Sequence, residues 1–246
     1  MKTMKIKYLN SLLILFSLFC LINSLKPLEF TDDNITDISK GYKRISPKDV
    51  SYTYLAILSS NDLLGHFYPE EINYSGNKYS LGGLDYLSKY IEIMKEEFDN
   101  RFIYLDAGDL LKGSLESEIT NGEIMTESLN LMQCKATTFG LHEFDNSRQF
   151  LEEKISKSEF PYLSNNIYDN KKKTKNAFGN NHLTSKVLSL NITNTYGEKV
   201  ILKLGIIGLA KNLDKKDIKG SGFDDITFLA YKSSLIEETI GIPLTQ

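Results

Sequence analysis

The chain has 246 residues with 29 basic and 32 acidic side chains, a formal net charge of −3. Apolar residues make up 41% and charged residues 25%, which excludes a disordered chain and leaves room for a sizeable core. An acidic balance argues against a general nucleic-acid-binding role, which wants a basic face.

Lys2, Lys5 and Lys7 precede an almost wholly apolar run from Leu9 to Ile22. That run is short for a membrane span, which needs ~20 apolar residues, and fits a secretory signal peptide over residues 1–24, with an uncleaved anchor as the alternative because Ile22 would stand at the −3 position. No later stretch is apolar enough to span, so a secreted or lumenal location is expected. Cys20 falls in that segment and leaves Cys134 alone, so no internal disulfide or cysteine-based zinc site is expected. Three glycosylation sequons begin at Asn34, Asn73 and Asn191.

Residues 25–50 read as a polar N-terminal extension, and residues 51–246 as the domain. Tyr52 to Ser60 reads as a first buried strand running into Asn61-Asp62-Leu63-Leu64-Gly65-His66. A long polar loop is expected up to Gly82-Gly83. Leu84, Leu87, Ile91, Met94 and Phe98 then make one stripe of an amphipathic helix. Phe102 to Leu105 is a second strand, ending in Asp106-Ala107-Gly108-Asp109. Residues 110–121 read as a loop, and Met125, Leu129 and Met132 as a second helix. Ala136 to Phe139 is a third strand leading to Gly140-Leu141-His142-Glu143-Phe144-Asp145. Phe150, Leu151 and Ile155 mark a third helix, and Phe160 to Asn166 a fourth strand with a polar end. Lys171 to Asn181 reads as a solvated basic insertion. Val187–Ile192 and Lys199–Gly208 form a hairpin, and residues 227–240 a last helix. Strands alternating with helices predict βαβ units and a largely parallel sheet.

Three successive strand ends carry Asp62, Asp109, and His142 with Asp145. In an open α/β sheet such ends share one edge, where ligands bind. Carboxylates there serve general acid/base work or hold hard divalent cations. A carboxylate beside an imidazole fixes its tautomer and raises its basicity. The plain alternative is that Asp106 and Asp109 cap turns.

These blocks, in this order, resemble the 5′-nucleotidases, the secreted branch of the calcineurin-like metallophosphoesterases. The family blocks run TNDxHGH, GGLARL, LLDAGD, GNHEFD and FPxLxAN, with a later KVGVIGL strand matched by Lys203 to Leu209. The resemblance spans about residues 52–210. It implies an αββα sandwich, here cut short at its C-terminus, with two divalent ions, zinc or manganese, ~3.5–4 Å apart. By position, Asp62 would bind the first metal and Asp109 bridge the two. His142 would stabilise the transition state or protonate the leaving oxygen, with Asp145 orienting it. The expected substrate is a nucleotide or another phosphate monoester. Two positions depart from the pattern: the DxH histidine is Leu64 and the NHE asparagine is Leu141, and leucine offers no lone pair. His66 is two residues too late to substitute, and the isolated His182 reads as a solvated loop histidine. The expected function is therefore a phosphoesterase homologue of impaired activity. One rival is a secreted, non-catalytic pseudoenzyme that uses the sandwich as a binding surface; another is a fragment of a longer product whose remaining half supplies the family's later SHxG and GHxH histidines, which this sequence lacks.

Overall fold

In the computed structural model, residues 54–194 and 196–229 are described. The expected signal segment, the extension 25–50 and residues 230–240 of the expected last helix lie outside these.

Strand β1 (Ala56–Ser60) is followed by a hairpin of β2 (Glu70–Tyr74) and β3 (Asn77–Leu81), and then by helix α1 (Leu84–Phe98). Strand β4 (Phe102–Asp106) leads through α2 (Leu115–Ile119) and α3 (Glu123–Leu131) to α4 (Arg148–Lys157). After it come β5 (Tyr162–Leu163), β6 (Ile167–Asp169), β7 (His182–Leu183), β8 (Ser185–Thr193), β9 (Lys199–Ile207) and β10 (Ile226–Phe228).

Backbone hydrogen bonds join the short strands into one parallel sheet. β1 runs beside β4, with Ser60 opposite Asp106. Lys135 N–H donates to Tyr104 O at 2.8 Å, and Asp106 N–H to Ala136 O at 3.0 Å. Leu163 N–H donates to Thr137 O at 2.8 Å, and Ser164 N–H to Leu183 O at 2.8 Å. The order is thus β1, β4, residues 135–137, β5, β7. The expected third strand narrows to a single bridge, Thr137 to Tyr162, and begins one residue earlier in its hydrogen bonding. β8 and β9 form the expected antiparallel hairpin, Ser185 opposite Ile207 and Thr193 opposite Lys199.

The α1 stripe behaves as its spacing predicts: Leu84 and Ile91 are buried, and Leu87, Met94 and Phe98 pack on the core. Ser147 caps α4 by accepting the Phe150 N–H at 3.2 Å, as a short hydroxyl at that position should. The core centres on aromatic rings. Phe139 lies 4.9 to 6.0 Å, centroid to centroid, from His182, Tyr162, Phe178 and Phe144. Burying one such ring contributes roughly 2–3 kcal/mol.

Five expectations are corrected. β1 is buried on one face only, Ala56 inside and Ile57 exposed, so it is not a strand covered on both sides. The loop before Gly82 contains the β2–β3 hairpin, turned by Ser75 (φ 52°) and Gly76 (φ 81°). Paired positive φ values suit a tight two-residue hairpin turn, and glycine reaches them without strain. The loop 110–121 contains α2, because the Ser114 side chain accepts the Ser117 N–H and starts a helical turn. The 171–181 segment is not wholly solvated, since Ala177 and Phe178 are buried in the aromatic core. Residues 226–228 form a strand, because the free edge of β6 takes them as an antiparallel partner, Phe228 opposite Ile167.

Candidate functional site

The loop after β1 is zipped to the loop after β4. Asp62 N–H donates to Gly108 O at 3.0 Å, Leu64 N–H to Asp109 O at 2.9 Å and Gly65 N–H to Leu110 O at 3.0 Å. Asp62, Leu64 and Asp109 all have positive φ, at 52°, 46° and 55°. Aspartate tolerates that region, but a leucine held there costs about 1 kcal/mol. Strain of this kind, held by surrounding hydrogen bonds, is a mark of a built loop.

Asp106 supports the edge from below. Its carboxylate accepts the Ser60 hydroxyl at 2.5 Å, the Thr137 hydroxyl at 2.7 Å and the Gly108 N–H at 2.9 Å. Burial pushes its carboxyl up, these donors oppose the shift, and the charge of Asp62 adds to it. Asp106 therefore has the turn-capping role that was its plain alternative.

The third loop is pinned by Glu143, which the sequence shows only as a carboxylate flanking His142. Glu143 is only 1% exposed. One of its oxygens accepts the Leu110 N–H at 2.7 Å; the other accepts the Gly140 N–H at 2.6 Å and the Asp109 N–H at 3.0 Å. Both oxygens thus face N–H donors, the arrangement of an ionised carboxylate. Burial pushes the carboxyl up to about 7, with the Leu110 N–H opposing it and the charge of Asp109 alongside. The only sequence signal was its place between His142 and Asp145, which does not reveal its partners.

This staple brings the candidate residues together. His142 N–H donates to Asp109 Oδ1 at 2.7 Å, and His142 Nδ1 lies 2.9 Å from Asp145 Oδ2. A carboxylate on Nδ1 assigns the proton to that nitrogen and leaves Nε2 as the working atom. The His142 side chain is about one-third exposed while that of Asp145 is 4% exposed. Asp62, Asp109 and the His142–Asp145 pair thus share one sheet edge, as the strand-end argument expects.

No family model matches the chain. Protein UshA of Salmonella pullorum is 33% identical over 121 residues, covering 49% of this chain and 21% of that protein. The 5′-nucleotidase of Vibrio vulnificus is 30% identical over 126 residues, covering 50% of this chain and 21% of that one. The chain is a relative of the 5′-nucleotidases. It spans about a fifth of the length of these relatives. Among solved structures, a 5′-nucleotidase precursor of Thermus thermophilus superposes with a TM-score of 0.61 at 22% identity, over 76% of this chain and 34% of its own. The calcineurin-like phosphoesterase YfkN of Bacillus subtilis gives 0.59 at 20% identity, over 76% and 57%. The fold is that of the calcineurin-like phosphoesterases.

A 5′-nucleotidase fold implies divalent metal ions, and the donors at this edge can be tested for them. Asp62 Oδ2 already accepts from Asn61 Nδ2 at 2.6 Å, and Asp109 Oδ1 from the His142 amide. Leu141 packs on the core, and the Leu64 backbone closes on Gly113, where any side chain would collide with the Leu64 carbonyl. Among the described residues no three His, Cys, Asp or Glu side chains converge as a metal site. Asp62 and Asp109, with leucine at positions 64 and 141, do not by themselves complete a two-metal centre; alone they suit a hydrated cation held weakly. His66 stands apart, exposed and 3.9 Å from Glu70. His182 is corrected more sharply. It is fully buried, with Nε2 3.1 Å from the Ser164 hydroxyl and its ring stacked on Phe178. Burial holds its pKa down at about 3, so it is a neutral core residue.

Proposed function

We propose that this chain is a 5′-nucleotidase-like phosphoesterase homologue in which hydrolysis of phosphate monoesters is impaired. The observation that carries the reading is the pairing of an intact frame with altered ligand positions. The Glu143 staple, the Asp106 support and the His142–Asp145 pair are all present, whereas Leu64 and Leu141 stand at the two positions where the resemblance expects metal ligands. His142 Nε2 is the atom that would hand a proton to a leaving oxygen, with Asp145 holding the ring in place. When metals are bound, such a site gains Lewis-acid activation of the phosphate; here Asp62 and Asp109 are the residues left for one.

The same frame suits a second reading, a binding module for phosphorylated ligands that has lost turnover. A secreted or lumenal setting follows from the apolar segment after Lys7. Asn73 and Asn191, both exposed, would then be available for glycosylation. Among the described residues no helix is long and apolar enough to cross a membrane.

The test is metal content and nucleoside monophosphate hydrolysis of the full chain after equilibration with zinc and manganese. Substoichiometric metal and a rate far below that of the Leu64→His/Leu141→Asn double variant are expected. Two ions per chain with brisk hydrolysis in the unaltered chain would overturn the proposal. A folded chain with no turnover in either form would favour the binding module.

A further inference from the structure

The β2–β3 hairpin stands outside the core. All ten of its strand residues are exposed, and none of them packs on the core among the described residues. Its pairing nevertheless sorts them by polarity. Residues directly opposite each other in an antiparallel pair share a face. Ile72 is opposite Tyr79, Glu70 opposite Leu81 and Tyr74 opposite Asn77, so Ile72, Tyr74, Tyr79 and Leu81 lie on one face. Glu71, Asn73, Lys78 and Ser80 make up the other. Alternation of this kind is the pattern of a strand pair with one face covered and one in water. An isolated two-stranded hairpin is marginal in water and gains stability from such a cover. The base of the hairpin is fixed. Leu84 N–H donates to Phe67 O at 2.9 Å, and Phe67 packs on the core. A side chain at Gly83 (φ 87°) would collide with Pro69, so the incoming and outgoing chain meet tightly where the hairpin leaves the body.

The chemistry of the face selects its occupant. Its four apolar side chains are 37% to 55% exposed. That amounts to on the order of 400 Å² of apolar surface, at ~200 Å² for a large side chain, the size of patch that marks an interaction site on a monomer. The one charge on this face is Glu70, at the base, 3.9 Å from His66. The face therefore offers little for an oppositely charged partner to complement, and nothing that repels a second copy of itself. A two-fold axis brings two such faces together without a further device, because an isologous contact uses the same patch on both chains. We infer that the β2–β3 hairpin is a self-association surface, on which two copies of this chain stack apolar face to apolar face. Ile72 and Tyr79, the central cross-strand pair, carry most of the contact. The stack covers on the order of 800 Å² of apolar surface, about half of a standard ~1,600 Å² interface, so the dimer is weak and reversible. Asn73 lies on the opposite face, so a glycan there leaves the contact open.

The experiment is sedimentation velocity of the full chain from about 1 to 500 μM, a range that spans weak association. A concentration-dependent dimer is expected. Ile72→Thr/Tyr79→Thr keeps residues that suit a strand and removes the apolar contact, and it should weaken the dimer at least tenfold. Glu71→Gln/Lys78→Gln, on the opposite face, should leave it unchanged. Thermal melts check that both double variants are folded. In the chain carrying Ile72→Cys, a short bis-maleimide should cross-link two copies, whereas Asn73→Cys should give none; Cys134 is buried and stays out of the reaction. Association that persists in the threonine variant belongs to another surface and overturns the inference. So does a monomer at every concentration. Maleimide labelling of Ile72→Cys then tells the two causes apart: slow labelling means that another segment of this chain covers the face, and fast labelling means that nothing does.

Discussion

Glu143 shows how one side chain sets the geometry of several others. Its carboxylate gathers amides from residues 109, 110 and 140, so the loop carrying Asp109 and the loop carrying His142 cannot move independently. Truncation would leave those buried N–H groups without an acceptor, at about 1–3 kcal/mol for each group that water does not reach. Glu143→Ala should therefore destabilise the fold by roughly 3 kcal/mol or more, read as a lower urea midpoint. An unchanged midpoint would mean that water replaces the carboxylate and that the staple is dispensable. This role was invisible in the sequence because the amides it serves lie up to 34 residues earlier. His142 and Asp145 were legible, being three residues apart in a short loop, where an imidazole and a carboxylate meet with little chain in between.

At the scale of elements, the two loops meet through glycine. A side chain at Gly140 would overlap the Asp109 carboxylate, and one at Gly108 would press on the Gly140 amide. Gly140→Ala should thus force the loops apart, lowering Tm by about 5 °C or more, as overpacking of 1–3 kcal/mol does in a domain of this size. Gly205→Ala in β9, where a Cβ meets no atom within 4 Å, is the control and should leave Tm within a degree or so. Equal effects of the two substitutions would refute the close-contact argument. Helix α1 and the β8–β9 hairpin were readable because each depends on local periodicity alone. The β2–β3 hairpin was readable in principle from Ser75-Gly76, a turn dipeptide between residues that alternate. β10 was not, because what makes residues 226–228 a strand is the free edge of β6, about 59 residues away in sequence.

For the molecule as a whole, His182 links stability to pH. It is neutral in the folded state, where burial holds its pKa at about 3, and titrates near 6.5 when unfolded. Between those values the unfolded chain binds the extra proton. Stability is therefore fully present above pH ~6.5 and is lost as pH falls toward 3, on the order of 5 kcal/mol across the window. His182→Gln should be less stable at neutral pH but flatter in its acid limb, measured as Tm against pH. An acid limb as steep as that of the unaltered protein would show that His182 is not the group responsible.

The sequence by itself determined β1, α1, β4, α3, α4 and the β8–β9 hairpin in their order, the gathering of Asp62, Asp109 and His142 at strand ends, and the likeness to 5′-nucleotidases. These depend on period, turn residues and motif order, all of which are local. It also determined that leucine stands at positions 64 and 141. Only the tertiary structure decided the rest. It made Asp106 and Glu143 supports, buried His182 in the aromatic core, and brought Lys112 and Lys219 to Asp145 from distant points on either side of it in the sequence. Those outcomes turn on which distant backbone groups need a partner and which charges share one buried oxygen. Such pairings are fixed by packing in three dimensions and leave no spacing in the chain to read.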